Sequence, residues 1–292
     1  MDKSDERIRW GTEQRLEFIE FRTFWEGGVN RSDITQRFGV SVPQASNDLA
    51  LYQKLAPTNL RYDSSEKRYV AAADFVPHFM KPDADRYLVQ LKAVSDHVMS
   101  IDDTWIAQPP DFDAMPVPTR RVDPAILKRL ISAIRADRSI EIYFQSMNPR
   151  RPEAIWRRIT PHAFAHDGLR WHVRAFCHME SKFKDFIISR CRELRHEDAP
   201  GARASDDILW KSLFEVILKP NPELTPSQRE TIALDYEMED GFARISVRRA
   251  LLYYFEKRLR LDIRSDKDKP SEKPVVIHNA NEFVKARDAA MA

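Results

Sequence analysis

Four prolines fall within ten residues: Pro109, Pro110, Pro116 and Pro118. Proline lacks a backbone N–H and fixes φ, so this stretch can build neither a helix interior nor a central strand. Gln108–Thr119 is therefore expected to run as an extended connector, and the chain must fold as separate parts on either side of it. Before the connector, Asp83–Ile101 reads as a helix with Pro82 near its start. After it, Asp123-Pro124 supplies a cap and a first-turn proline for a helix to about Arg135. With 292 residues, two or three domains can each bury a core.

The composition, 42% apolar and 32% charged, excludes global disorder. No apolar run approaches the ~18–20 residues needed to span a bilayer. Met1–Arg9 is charged and leads into no apolar segment, so no secretory signal is expected. Two cysteines, Cys177 and Cys191, exclude a disulfide framework and make the cytoplasm the default compartment. The net charge of +2 hides an uneven distribution. Residues 1–75 are net −1, residues 76–119 net −4, residues 120–200 net +7 and residues 201–292 neutral. These segments are the expected domains, and the basic excess sits in the third.

In the first segment, Thr12–Trp25 is an amphipathic helix, with Phe18, Phe21 and Trp25 on one face and Leu16 and Ile19 alongside. Gly27-Gly28 stops it. A short helix follows from about Arg31, with Ile34 and Phe38 facing inward. Gly39-Val40-Ser41 then sets a hydrophobe between a glycine and an N-cap serine, and Pro43 opens a helix to about Leu55. This is the spacing of a helix-turn-helix. Ala45, Leu49 and Tyr52 would pack inward. The opposite face carries Pro43, Asn47 and Lys54, flanked by Ser41, Gln44 and Ser46. Gln and Asn can read adenine edges in duplex DNA. Leu60–Tyr62 and Lys67–Val70 flank Asp63–Glu66 as a hairpin wing whose Arg61, Lys67 and Arg68 can meet phosphates.

From Ser139 to Leu194 the texture turns to β-like runs: Ile140–Met147, Trp156–Ala165, Leu169–Phe176 and Phe183–Arg192. Asp167-Gly168 is a hairpin signal. Runs of this length suit a small, strongly curved sheet or barrel. Further on, strand Phe214–Lys219, helix Pro226–Tyr236, strand Ala243–Arg249 and helix Leu251–Leu261 suit a compact α/β module. Pro274–His278 and a helix at Asn281–Ala290 complete the tail.

In the central part, Tyr143-Phe144-Gln145-Ser146-Met147, Arg158-Ile159-Thr160-Pro161-His162, Gly168–Phe176, Phe183–Phe186 and Ser189-Arg190 resemble a WYL domain. That family carries a Trp-Tyr-Leu triplet on one strand of an Sm-like barrel; here the triplet is Trp171-His172-Val173. With the flanking parts, the chain is similar throughout to the WYL transcriptional repressors of phage-defence islands, the BrxR/CapW type. The fold class implied is α+β multidomain: a winged helix-turn-helix, a central Sm-like small β-barrel and a C-terminal α/β dimerisation module.

The resemblance implies a homodimeric repressor on an inverted-repeat operator of double-stranded DNA, with the central domain sensing a nucleotide or nucleic-acid fragment. On Leu169–Phe176, alternation puts Trp171, Val173 and Ala175 on one face and His172, Arg174 and Phe176 on the other. A buried Trp-Val-Ala face would leave His172 and Arg174 projecting, with Arg190 close by on the next strand. Tyr143, Gln145, Ser146, His162, His172, Arg174 and Arg190 are the candidate effector residues, suited to phosphate or single-stranded nucleic acid.

Other constellations are bland. His162, His166, His172, Cys177 and His178 lack metal-ligand spacing, so no metal or cofactor is expected. Cys177 and Cys191 fall on neighbouring strands, where buried thiols are commoner than redox pairs. Asp102-Asp103 and Asp206-Asp207 read as caps or solvated surface, and Leu251–Phe255 as core or subunit interface. No nucleophile–base or acidic metal constellation favours a nuclease or other enzyme. The other alternative is an interaction adaptor that does not bind DNA.

Overall fold

The computed structural model describes residues 9–118, 120–261 and 269–291. All but Arg9 of the charged stretch Met1–Arg9, and Thr119 at the end of the expected connector, lie outside the described residues. The chain divides into two compact units, Met1–Val117 and Pro118–Ala292.

The first unit opens with helix α1 (Trp10–Glu26), which buries Leu16, Phe18, Ile19 and Phe21 and ends where Gly27 turns left-handed at φ 75°. A two-residue strand β1 (Gly28–Val29) follows; the sequence had shown only the helix stop here. Helix α2 (Arg31–Phe38) starts on a capping box, Asn30 with Asp33, and ends at Gly39, φ 66°. Helix α3 (Val42–Leu55) is capped by Ser41, whose Oγ accepts from the Gln44 N–H. Strands β2 (Leu60–Asp63) and β3 (Arg68–Ala71) form the wing, and β1 pairs with β3 in the order β1-β3-β2. Ile34, Ala45, Leu49 and Tyr52 pack on α1 in a core around Leu16, Phe18 and Ile19.

Buried Glu20 ties this core to the chain beyond the wing. Its carboxylate accepts from the Tyr52 hydroxyl at 2.9 Å and from the backbone N–H groups of His78, Phe79 and Met80 at 2.7–2.8 Å. Four donors replace the water the carboxylate lost on burial. Helix α4 (Ala84–Ser95) starts on Asp83 as expected but stops at Ser95, short of Ile101. His97 adopts φ 56°, a left-handed conformation that a helix cannot continue through. Residues 107–118 form no regular helix or strand.

The second unit begins with helix α5 (Pro124–Arg135), capped by Asp123. Five strands follow: β4 (Ser139–Phe144), β5 (Ile155–His166), β6 (Trp171–Cys177), β7 (Lys182–Ile187) and β8 (Cys191–Asp198). The run Phe183–Arg192, expected as one strand, is broken by a turn at Ile188–Arg190. Ile187 ends β7, and the turn carries the chain to Cys191, where β8 pairs with β4 instead of continuing along β6. The sheet is antiparallel in the order β7-β6-β5-β4-β8. β7 and β8 are edges among the described residues, so the ladder is open where a closed barrel was expected. Leu130 of α5 packs against Ile140, Ile142, Ile159, Val173 and Ala175. Cys177 and Cys191 are free and buried on β6 and β8, which are separated by two strands and are not neighbours.

A short helix α6 (Ile208–Lys211) leads into β9 (Leu213–Pro220), α7 (Pro226–Asp235), β10 (Ala243–Arg248), α8 (Leu252–Arg258), β11 (Val275–Ile277) and α9 (Ala280–Met291). The strands pair antiparallel in the order β10-β9-β11. Val216 and Leu218 pack on Leu252, Phe283 and Ala286. Leu251–Phe255 thus divides: Leu252 and Phe255 are core, and Tyr254 turns onto β6. Among the described residues no helix is long and apolar enough to cross a membrane.

Candidate nucleic-acid interface and anion cleft

Two polar surfaces emerge, one in each unit. On the first, α3 buries Ala45, Asp48, Leu49 and Tyr52 and turns Pro43, Asn47 and Lys54 outward. Ser41 is exposed but occupied as the cap, and Ser46 Oγ–H donates back to the Val42 carbonyl at 3.0 Å. Gln44 is half-buried and donates to Asp48 at 3.0 Å. On the wing, Arg61 and Lys67 are exposed. Arg61 lies 3.5 Å from Asp63, and Arg68 is paired with Glu66 at 2.6 Å. Asp63 is held down near 2 by the Ser65 hydroxyl and the N–H groups of Glu66 and Ser65, which locks the tight turn of the wing. These residues present donors, acceptors and cations along one helix and one hairpin.

The second surface is a cleft of about 300 Å³ on the central sheet. Its lining includes Ser146, Arg151, Arg157, Arg170, His172, Lys184, Asp185 and Arg190, with Phe144, Phe186, Tyr253 and Tyr254 as apolar walls. Glu180 receives Arg151, Arg157 and Lys184. Burial works to raise its pKa, but these three cations hold it near 2. Asp167 takes Arg170 and His172, both at 2.9 Å, and lies below the ordinary aspartate range despite burial. Arg190 sits in the turn between β7 and β8. Burial, then the charges of Arg170 and Arg120, lower its pKa, and no described carboxylate pairs with it. Two buried polar atoms of the cleft residues, Arg157 Nε and His172 Nδ1, have no hydrogen-bond partner among the described residues.

The expected effector residues therefore separate into three groups. Ser146, His172 and Arg190 line the cleft. His162 and Arg174 do not: both are bonded to Asp207, at 3.0 and 2.7 Å, and Arg174 also reaches Asp185 at 3.3 Å. Tyr143 stacks on Trp156 at 5.3 Å, on the side of β4 away from buried Ile142 and Phe144, and Gln145 is bonded to the backbone carbonyls of Ser146 and Pro152.

The expected arrangement of β6, a buried Trp-Val-Ala face with His172 and Arg174 projecting, does not form. Trp171 is 54% exposed, while His172 and Arg174 are 2% and 4% exposed. Alternation holds, but both faces of the strand are covered. Tyr254 lies over His172 at 4.9 Å between ring centres, and Asp207 at the start of α6 grips Arg174. Asp207, expected as a cap or solvated surface, does cap α6, yet is 1% exposed and serves as the counter-ion. Burial raises Asp185 in spite of Arg174, and the same burial raises the Tyr254 hydroxyl that bonds it. No sequence signal marked Asp207 or Tyr254 as partners of β6, since Asp207 lies 33 residues from Arg174 and Tyr254 further still.

Residues 11–93 match the BrxR transcriptional regulator winged helix-turn-helix domain, residues 125–196 the WYL domain, and residues 213–283 the BrxR transcriptional regulator C-terminal dimerization domain. The chain is 38% identical over 279 residues to the DNA-binding transcriptional repressor CapW of Stenotrophomonas maltophilia, covering 94% of this chain and 92% of that protein. It is 38% identical to CapW of Pseudomonas aeruginosa, covering 95% and 91%, and 36% identical to CapW of Escherichia coli, covering 96% and 93%. The solved structure of proteasome accessory factor B/C (PafBC) of Arthrobacter aurescens matches at a TM-score of 0.28 and 14% identity, over 95% of this chain and 46% of that one. The chain belongs to the CapW family of transcriptional repressors.

Proposed function

We propose that the protein is a cytoplasmic homodimer that binds an inverted-repeat operator and represses transcription of a phage-defence operon. On this reading residues 1–75 bind DNA, 76–119 link, 120–200 sense a ligand and 201–292 dimerise. The observation that carries it is the exposed polar face of α3, with Asn47 and Lys54 outward and the basic wing beside it, in a part that matches a winged helix-turn-helix. Ser41, Pro43, Gln44, Ser46, Asn47 and Lys54 would meet the major groove, and Arg61, Lys67 and Arg68 the phosphates. The match to a dimerization domain supports two copies acting together.

The cleft is the effector site on this reading, and its ligand is an anion of nucleotide type. Among the described residues Arg190 has no counter-ion, and Arg157 Nε and His172 Nδ1 have no partner. An unmet buried polar atom costs about 1–3 kcal/mol, which a phosphate or nucleobase could relieve. His172 and Arg190 would contact the ligand, with Ser146 beside them. His162 and Arg174 would act only through Asp207, and Tyr143 and Gln145 from outside the cleft.

Footprinting the full chain on the DNA upstream of its own gene tests the proposal. Two protected half-sites about one helical turn apart are expected. Protection of a single site, or retardation of scrambled duplex as strong as that of the upstream DNA, would reject it.

A further inference from the structure

Gln44 stands on the first turn of α3, and its amide is held in one orientation. Nε2 donates to Asp48 Oδ1 at 3.0 Å, one helical turn further on. Asp48 is buried and is gripped by Arg15 of α1, with Nε on Oδ2 at 2.6 Å and Nη2 on Oδ1 at 3.2 Å. An ionised carboxylate can only accept, so the amide nitrogen must face it; a turned amide would set oxygen against oxygen. One amide hydrogen is thereby committed. No described residue donates to Gln44 Oε1, which is left with the second N–H as an adjacent acceptor and donor.

We propose that the Arg15–Asp48 pair positions Gln44 as an adenine reader in duplex DNA. The inference rests on the DNA-binding reading above and names the base class that this side chain takes. In the major groove adenine offers N7 as acceptor beside the N6 amino donor, the complement of an N–H beside Oε1. Guanine offers two acceptors, N7 and O6, and would meet Oε1 with repulsion. Cytosine and thymine offer one polar atom each at this edge, enough for a single bond. Adenine is therefore the one base that satisfies both free atoms without moving the amide.

The test uses the full chain and a pool of randomised duplexes. Enriched duplexes should share an adenine at one position of each half-site. Replacing that adenine by guanine should weaken binding about 5- to 150-fold, and Gln44→Ala should remove that discrimination. Placing 7-deazaadenine there, which lacks the N7 acceptor, should weaken the unaltered protein and leave Gln44→Ala unaffected. Asp48→Asn lets the amide turn, so the adenine-over-guanine ratio should fall at least about 5-fold, whereas Arg15→Lys, which keeps a cation on Asp48, should retain it. A merely structural role of Asp48 would weaken all duplexes together and leave the ratio unchanged. The inference is overturned if Asp48→Asn keeps that ratio, or if the deaza substitution costs the same with and without Gln44. If the pool yields no enriched duplex, the DNA-binding reading itself fails, and the inference with it.

Discussion

Asp207 decides where Arg174 points. Alternation along β6 correctly placed His172 and Arg174 on one face, but it carries no information about what covers that face. That depends on Asp207 and Tyr254, brought back by the chain from the C-terminal part. A basic side chain on a strand thus looked like a ligand contact and is instead an internal ion pair. The arrangement has a pH signature. Burial works to raise the Asp207 pKa, but His162 and Arg174 hold it near 2, below its ordinary 3.8. A depressed carboxylate stabilises the fold above its unfolded pKa and loses that contribution as pH falls through its folded pKa. The window is therefore about pH 4 to pH 2, and the contribution lost is about 2 kcal/mol. Asp207→Asn should lower the denaturant midpoint at pH 6 and lie much closer to the unaltered protein near pH 2. An equal gap at both pH values would refute the assignment.

Helices were readable as elements because their caps are local: Ser41 and Asp123 both cap as their sequence context suggests. Elements set by distant contact were not. The two-residue β1 has no periodicity to detect, and the β7–β8 break hides inside one β-like run. Gly28 shows what β1 requires. It lies against β3 so closely that an added Cβ would stand 2.6 Å from the Tyr69 carbonyl oxygen and 3.0 Å from Arg68. Gly28→Ala must push backbone, so a loss of about 1–3 kcal/mol is expected, with the wing displaced. Gly39 is the control. Its φ of 66° strains any other residue, but nothing lies within 4 Å of the added carbon. Gly39→Ala should cost only about 1–2 kcal/mol of left-handed strain, leaving the β1–β3 pairing intact. Thermal melts would compare the two losses, and amide exchange at Val29 and Tyr69 would locate them. Protected amides at these sites in Gly28→Ala would refute the packing argument.

For the molecule as a whole, charge sets the conditions under which it can act. Residues 1–75 are net −1, so no bulk attraction holds this part to DNA, and grip must come from a few placed cations on each copy. On the proposed reading Lys54, Arg61, Lys67 and Arg68 would be those cations, with Arg61 already 3.5 Å from Asp63 and Arg68 paired with Glu66. The excess of +7 in residues 120–200 gathers partly at a cleft whose Arg190 has no described counter-ion, which fits a separate anion more than a share of the operator. Two copies would bring eight such cations to the proposed inverted repeat. Each neutralised phosphate contributes about −0.9 to the slope of log affinity against log salt, so the full set gives about −7. Lys67→Ala removes one exposed cation per copy and should make the slope shallower by about 2, weakening every duplex alike. Gln44→Ala should do the reverse, changing preference among sequences and leaving the slope where it was. Measuring both variants across a salt series separates positioning from readout. If Lys67→Ala shifts sequence preference and not the slope, the wing is reading bases, and the division of labour proposed for this surface is wrong.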